Sequence, residues 1–111
     1  MIISFDASTT STGYAIFDNG VLVEYGAIRP KGDIDERIKQ IYLEIKETFQ
    51  NHKFECVFIE DVPLSSRVNR RVAEKLLLLQ GTIYTLCLEY ECEFIQMEPT
   101  NWRKLSGIKS K

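Results

Sequence analysis

The turn Asp18-Asn19-Gly20 constrains this chain more than any other stretch, because it joins Tyr14-Ala15-Ile16-Phe17 to a run from Val21 to Ile28. Asn and Gly tolerate the positive φ that a tight hairpin turn needs, so the two runs are read as antiparallel neighbours. Ile2 to Phe5 is another short apolar run, ends at Asp6, and reads as a buried strand. The polar stretch Ser8-Thr9-Thr10-Ser11-Thr12-Gly13 separates it from the hairpin. The chain is therefore expected to open as a three-strand antiparallel meander.

Pro30-Lys31-Gly32 ends that pattern, and Asp33 followed by Glu36 reads as a variant capping box. Ile34, Ile38, Ile41, Tyr42, Ile45 and Phe49 then recur at helical spacing, which predicts an amphipathic helix of about five turns ending near Asn51. Phe54 to Ile59 is a buried strand running into Glu60 and Asp61. Pro63 to Ser66 is read as a loop, with Ser65 or Ser66 capping a second helix whose buried face is Val68, Val72, Leu76, Leu79 and Ile83. That helix continues to about Tyr90, and Glu93 to Met97 is a fifth strand ended by Glu98-Pro99.

The order β-β-β-α-β-α-β predicts the α/β class, with a mixed five-stranded sheet flanked by helices. Its antiparallel meander is extended by parallel strands reached through crossovers. At 111 residues, with no repeat, linker or low-complexity segment, residues 1–111 are expected to form one domain.

No apolar run approaches the roughly 18 residues that suggest a membrane span, and Met1 to Asp6 lacks the basic start of a signal peptide. A cytoplasmic protein is expected. Cys56, Cys87 and Cys92 lack C-x-x-C spacing and are read as reduced structural residues. The net charge of −2 does not advertise nucleic-acid binding, but it conceals segregation. Acids outnumber bases from Asp33 to Asp61, whereas Pro99 to Lys111 carries four bases and no acid. A polyanion responds to the local patch rather than to the sum.

Asp6 and Glu60 each end a buried strand. A carboxylate there is partly desolvated and needs a cation or hydrogen-bond donors. Adjacent strands would bring both acids within reach of one Mg²⁺, a hard ion that prefers oxygen ligands. Such an ion activates water and neutralises charge developing on a phosphate. The plainer alternative is that both acids simply cap loops.

The residues around them favour the metal. Phe5-Asp6-Ala7-Ser8-Thr9-Thr10-Ser11-Thr12-Gly13-Tyr14-Ala15-Ile16 resembles the first-strand motif of RuvC-type Holliday-junction resolvases, above all in the Asp and the later Thr-Gly-Tyr. Val57-Phe58-Ile59-Glu60-Asp61 resembles that family's second acidic motif. The following helix and the stretch from Glu98 through Trp102 to Gly107 fall in the expected order, so the resemblance spans essentially the whole chain.

The resemblance implies an RNase H-like fold and a metal-dependent endonuclease of DNA recombination and repair. Such an enzyme cuts four-way or related branched double-stranded DNA as a homodimer when full length, with Mg²⁺ or Mn²⁺. It also implies four active-site acids, with Asp6 and Glu60 matching the first two as catalytic metal ligands. The others lie on a C-terminal helix, so the chain is expected to be truncated at its C-terminus and to cut DNA poorly or not at all alone. Asp61 is a poor substitute, because strand alternation turns it to the other face. So compact a resolvase is also compatible with a phage origin.

Arg67, Arg70 and Arg71 are expected on one face of the second helix's first turns, where a DNA phosphate would meet free amides and guanidinium groups together. The alternative is a solvated basic turn offset by Glu74. Arg103 and Lys104 beside Trp102 form a second DNA-binding candidate, with the indole either touching DNA or packing on the sheet edge. Lys109 and Lys111 are further candidates from the resemblance. His52 is read as following the first helix, without a catalytic role. The Leu76 to Leu79 block is read mostly as core, with surplus apolar surface for a dimer interface.

Two other functions fit parts of the pattern. Sugar kinases and actin-like or chaperone-type ATPases also begin with an Asp and a Thr-rich turn. Their phosphate loop, however, has Gly two residues after the Asp, where this chain has Ser8. A non-catalytic DNA-binding remnant of the nuclease fold is the other.

Overall fold

The computed structural model describes residues 1–61 and 69–97. Its elements are β1 (Ile2–Asp6), β2 (Thr12–Asp18), β3 (Val21–Ile28), α1 (Ile34–Asn51), β4 (Cys56–Glu60), α2 (Arg70–Glu89) and β5 (Glu93–Met97). The five strands form one sheet in the order β3-β2-β1-β4-β5. β1–β2 and β2–β3 are antiparallel, while β1–β4 and β4–β5 are parallel.

The hairpin forms as its turn residues require. Asp18 pairs with Val21, and Asn19 and Gly20 bridge them at φ 51° and 79°. The two parallel joins follow from the helices, since a strand can return parallel only through a crossover. α1 carries the chain from the β3 edge back across to β4, and α2 carries it on to β5. Asp33 caps α1 by accepting the Glu36 N–H at 2.9 Å, which holds its carboxyl below the usual range.

Both helices pack on one face of the sheet. Ile3, Phe5, Ile16, Val57 and Ile59 from the strands meet Ile41, Ile45 and Phe49 of α1 and Leu79, Ile83 and Leu86 of α2 in one cluster. Burying each such side chain contributes about 1.5–3 kcal/mol before the entropy of ordering it. By strand alternation Ile2, Ser4 and Asp6 turn to the opposite face, with Phe58 and Glu60 beside them. The cysteines are free and buried as expected, and burial pushes their thiols up, Cys87 to about 12.

α2 departs from its sequence reading. Its cap is Asn69, whose Oδ1 accepts the Arg71 N–H at 2.8 Å. The expected capping residues Ser65 and Ser66, like Val68, lie outside the described residues. Its buried face is Ala73, Leu79, Gln80, Ile83, Leu86 and Cys87, with Leu76 half-buried. Val72, Leu77 and Leu78 are exposed, so the leucine block is not mostly core. Accordingly, Leu79→Ala is expected to cost about 2–5 kcal/mol. Leu78→Ala, one position on, should stay within about 0.5 kcal/mol. Urea denaturation of the two variants checks the orientation of the helix.

Candidate active site at the sheet edge

β1 and β4 are adjacent and parallel, so their C-terminal ends lie at the same edge of the sheet. Their register runs from Ile2↔Cys56 to Phe5↔Ile59, which places Asp6 and Glu60 next in line on the same face. Neighbouring strands lie about 4.8 Å apart, close enough for two carboxylates to share one ion. Asp6 is exposed and Glu60 half-buried. Among the described residues neither carboxylate forms an ion pair or a side-chain hydrogen bond, so the plainer reading as loop caps finds no partner there.

Two features keep the space around Asp6 open and fixed. On its other side Asp6 pairs with Gly13, where a Cβ would stand 3.8 Å from the Asp6 Cβ. A branched side chain at 13 would grow into the carboxylate's surroundings. The loop beyond Asp6 is closed by Thr12, fully buried, whose hydroxyl donates to the Ser8 carbonyl at 2.6 Å and accepts the Ser8 N–H at 3.2 Å. Tyr14 turns to the helix side and donates to Glu24 Oε2 at 3.0 Å. Burial, with Glu24, pushes its phenol up. The Thr-Gly-Tyr motif thus divides its labour between loop closure, clearance beside Asp6 and packing.

Glu60 is held through its backbone. Gln80 Nε2 donates to the Glu60 carbonyl at 2.7 Å, and Gln96 Nε2 donates to Gln80 Oε1 at 2.7 Å. Asp61 N–H donates to the Met97 carbonyl at 2.8 Å, so extended pairing continues past Glu60 and alternation turns Asp61 away from it.

Both acids are hard oxygen donors suited to Mg²⁺ or Mn²⁺, and their shared face fits two ligands of one ion. Among the described residues no group of three or more His, Cys, Asp or Glu is placed to hold a metal.

The basic residues stand further off than their position in sequence suggests. Because Gln80 touches Glu60, Arg70 begins the helix ten residues earlier, about 15 Å along its axis and beyond the sheet edge. Arg70 Nε also pairs with Glu74 Oε1 at 3.1 Å, the offset weighed above, while Arg71 is exposed. An exposed pair of this spacing contributes at most about 0.5 kcal/mol and yields readily to a phosphate. Arg67, Trp102, Arg103, Lys104, Lys109 and Lys111 lie outside the described residues. A cleft of about 630 Å³, lined by Phe49, His52, Phe54 and Tyr90, lies at the opposite edge of the sheet. His52 there ends α1, its Nδ1 3.1 Å from the Thr48 carbonyl, and takes no part in the site.

No family model matches the chain. It is 28% identical over 115 residues to the crossover junction endodeoxyribonuclease RuvC of Campylobacter curvus, spanning 99% of this chain and 72% of that one. To the enzyme of the same name from Nitratidesulfovibrio vulgaris it is 30% identical, over 93% of this chain and 64% of that one. The fold matches Thermus thermophilus RuvC in complex with a Holliday junction substrate at a TM-score of 0.80, with 14% identity and coverage of 94% and 69%. A second Thermus thermophilus RuvC structure matches at 0.76, with 16% identity and coverage of 99% and 72%. The chain is similar to RuvC-type proteins along nearly its whole length.

Its fold is accordingly RNase H-like, as the motif resemblance implied. Among the described residues no helix is long and apolar enough to cross a membrane. Gly13 and Gln80 are the site neighbours that sequence reasoning did not single out. Gly13 stood inside the Thr-Gly-Tyr motif, whereas nothing local marked Gln80.

Proposed function

We propose that this protein is a divalent-metal-dependent endonuclease that hydrolyses DNA phosphodiester bonds at four-way junctions or related branched DNA. The observation that carries the reading is the placement of Asp6 and Glu60 on one face, at neighbouring parallel strand ends, in a chain similar to RuvC along nearly its whole length. Asp6 and Glu60 hold Mg²⁺ or Mn²⁺, and the remaining ligands come from outside the described residues. When bound, the ion supplies an activated water and charge neutralisation at the phosphate.

The chain's own residues do the positioning. Gly13 leaves room beside Asp6 for a sugar–phosphate strand. Arg70 and Arg71, overhanging the edge, hold a phosphate away from the scissile bond, and Arg67, Arg103, Lys104, Lys109 and Lys111 supply further DNA contacts. The protein works in the cytoplasm, where reduced cysteines persist. With only two site carboxylates among the described residues, this chain by itself cuts slowly.

The protein acts as a homodimer. Leu77, Gly81, Tyr84 and Leu88 recur at spacings of four, three and four along the exposed side of α2, the pattern of a helix–helix seam.

Gel-shift titration tests the substrate class. A four-way junction is expected to bind at least about tenfold more tightly than a linear duplex of the same sequence, with Mg²⁺ present and at matched salt, since phosphate contacts alone do not discriminate. Equal affinities would remove the branched-DNA reading and leave general nucleic-acid binding.

A further inference from the structure

We propose that Gln80 is a positioning residue for Glu60, acting through the Glu60–Asp61 peptide group. The proposal rests on the reading of Glu60 as a metal ligand and deepens it. The register of β1 and β4 ends at Phe5↔Ile59, one residue short of the acids. Beyond that point the Glu60 carbonyl is taken by Gln80 Nε2 at 2.7 Å, and the N–H of the same peptide group, that of Asp61, is taken by the Met97 carbonyl at 2.8 Å. The peptide plane is therefore held at both ends, and its orientation fixes the backbone angle from which the Glu60 side chain departs.

Among the described residues Gln80 bonds only Glu60 and Gln96. It lies 5% exposed on the buried face of α2, among Leu79, Ile83 and Cys87, where a leucine or methionine would fill the same space. Burying an amide is costly unless it is satisfied. Here Gln96 Nε2, from β5, donates to Gln80 Oε1 at 2.7 Å, which orients the amide so that its NH₂ faces Glu60. The relay Gln96–Gln80–Glu60 thus ties β5, α2 and β4 together at the edge that carries the acids. Partners one step removed from a metal commonly alter its affinity 10–100-fold while leaving the fold intact.

The test follows Mn²⁺ by paramagnetic broadening of the backbone amide signals of Asp6 and Glu60, which reports even weak binding and needs no cleavage. In the unaltered chain those signals broaden first, and Glu60→Gln abolishes the effect. Gln80→Met keeps the side-chain volume and removes the hydrogen bond; it is expected to melt cooperatively and to require at least about tenfold more Mn²⁺ for the same broadening. Gln96→Met, which leaves the Gln80–Glu60 bond possible but unoriented, shifts the requirement about threefold. Unchanged Mn²⁺ dependence in a cooperatively melting Gln80→Met overturns the relay. If that variant does not fold, unchanged dependence in Gln96→Met overturns it instead. Broadening absent from the unaltered chain, or surviving Glu60→Gln, removes the metal reading and the relay with it. Broadening lost in Glu60→Gln yet kept in Gln80→Met strikes the relay alone.

Discussion

In EDTA, Asp6→Asn and Glu60→Gln are each expected to tighten binding of a four-way junction about fivefold, and in Mg²⁺ to weaken it relative to the unaltered chain. The sign reversal follows from charge. Without metal, two carboxylates on one face repel an approaching phosphate, and removing one charge at about 4–5 Å in a solvent-exposed setting relieves about 1 kcal/mol. With metal, the same carboxylates carry the cation that attracts the phosphate, so the neutral variants lose it. Whatever cleavage the unaltered chain supports should fall at least about a thousandfold, since a bound ion contributes several kcal/mol of charge stabilisation. The apo variants should also melt about 2–4 °C higher, because like charges on neighbouring strands oppose folding. Acids that only cap loops predict the opposite of this last effect, a lower melting temperature. Gel shifts with and without Mg²⁺, alongside a thermal melt, separate the two accounts.

Why the strand-end positions of Asp6 and Glu60 were legible in the sequence is a matter of local signals. Each follows a run of apolar residues long enough for one buried strand, and each motif is short and contiguous. The hairpin was legible for the same reason, since Asn19 and Gly20 carry their backbone preference with them. The phase of α2 was legible only in part. Five of its first ten residues are leucine or valine, so several helical stripes compete, and the true one runs through Ala73 and Gln80, which carry little or no apolar weight. Of the expected face, Leu79 and Ile83 are fully buried and Leu76 half-buried, while Val72 faces solvent. Gln80 was hidden twice over: it lies twenty residues from the carbonyl it serves, and a buried polar residue is invisible to a hydrophobic pattern. The basic turn at Arg70 lies close to Glu60 in sequence. Helical rise over ten residues, with Gln80 as the point of contact, carries it past the edge instead.

The exposed side of α2 also generates the second large expectation, that Leu77→Glu combined with Leu88→Glu raises the dimer dissociation constant at least about a hundredfold. Leu77 and Leu88 are 45% and 62% exposed, and Tyr84 between them is 47% exposed, an apolar stripe with no partner among the described residues. Gly81 sits at its centre, and nothing lies within 4 Å of where its Cβ would be, so a second helix can approach there closely. Tyr84 is meanwhile held from behind by an edge-on contact with Phe94, ring centroids 5.2 Å apart, which limits the entropy it loses on association. The stripe lies along one helix, and a two-fold axis would set it against its own copy, making the contact self-complementary. Introduced carboxylates would face each other across that seam, each buried without a partner at a cost of about 2 kcal/mol or more. In the monomer the same positions face water, so the variant should keep its melting profile at concentrations where the unaltered chain is monomeric. Sedimentation equilibrium over a concentration series measures the shift. A chain that is monomeric throughout before any substitution would show that α2 presents this stripe to something other than its own copy.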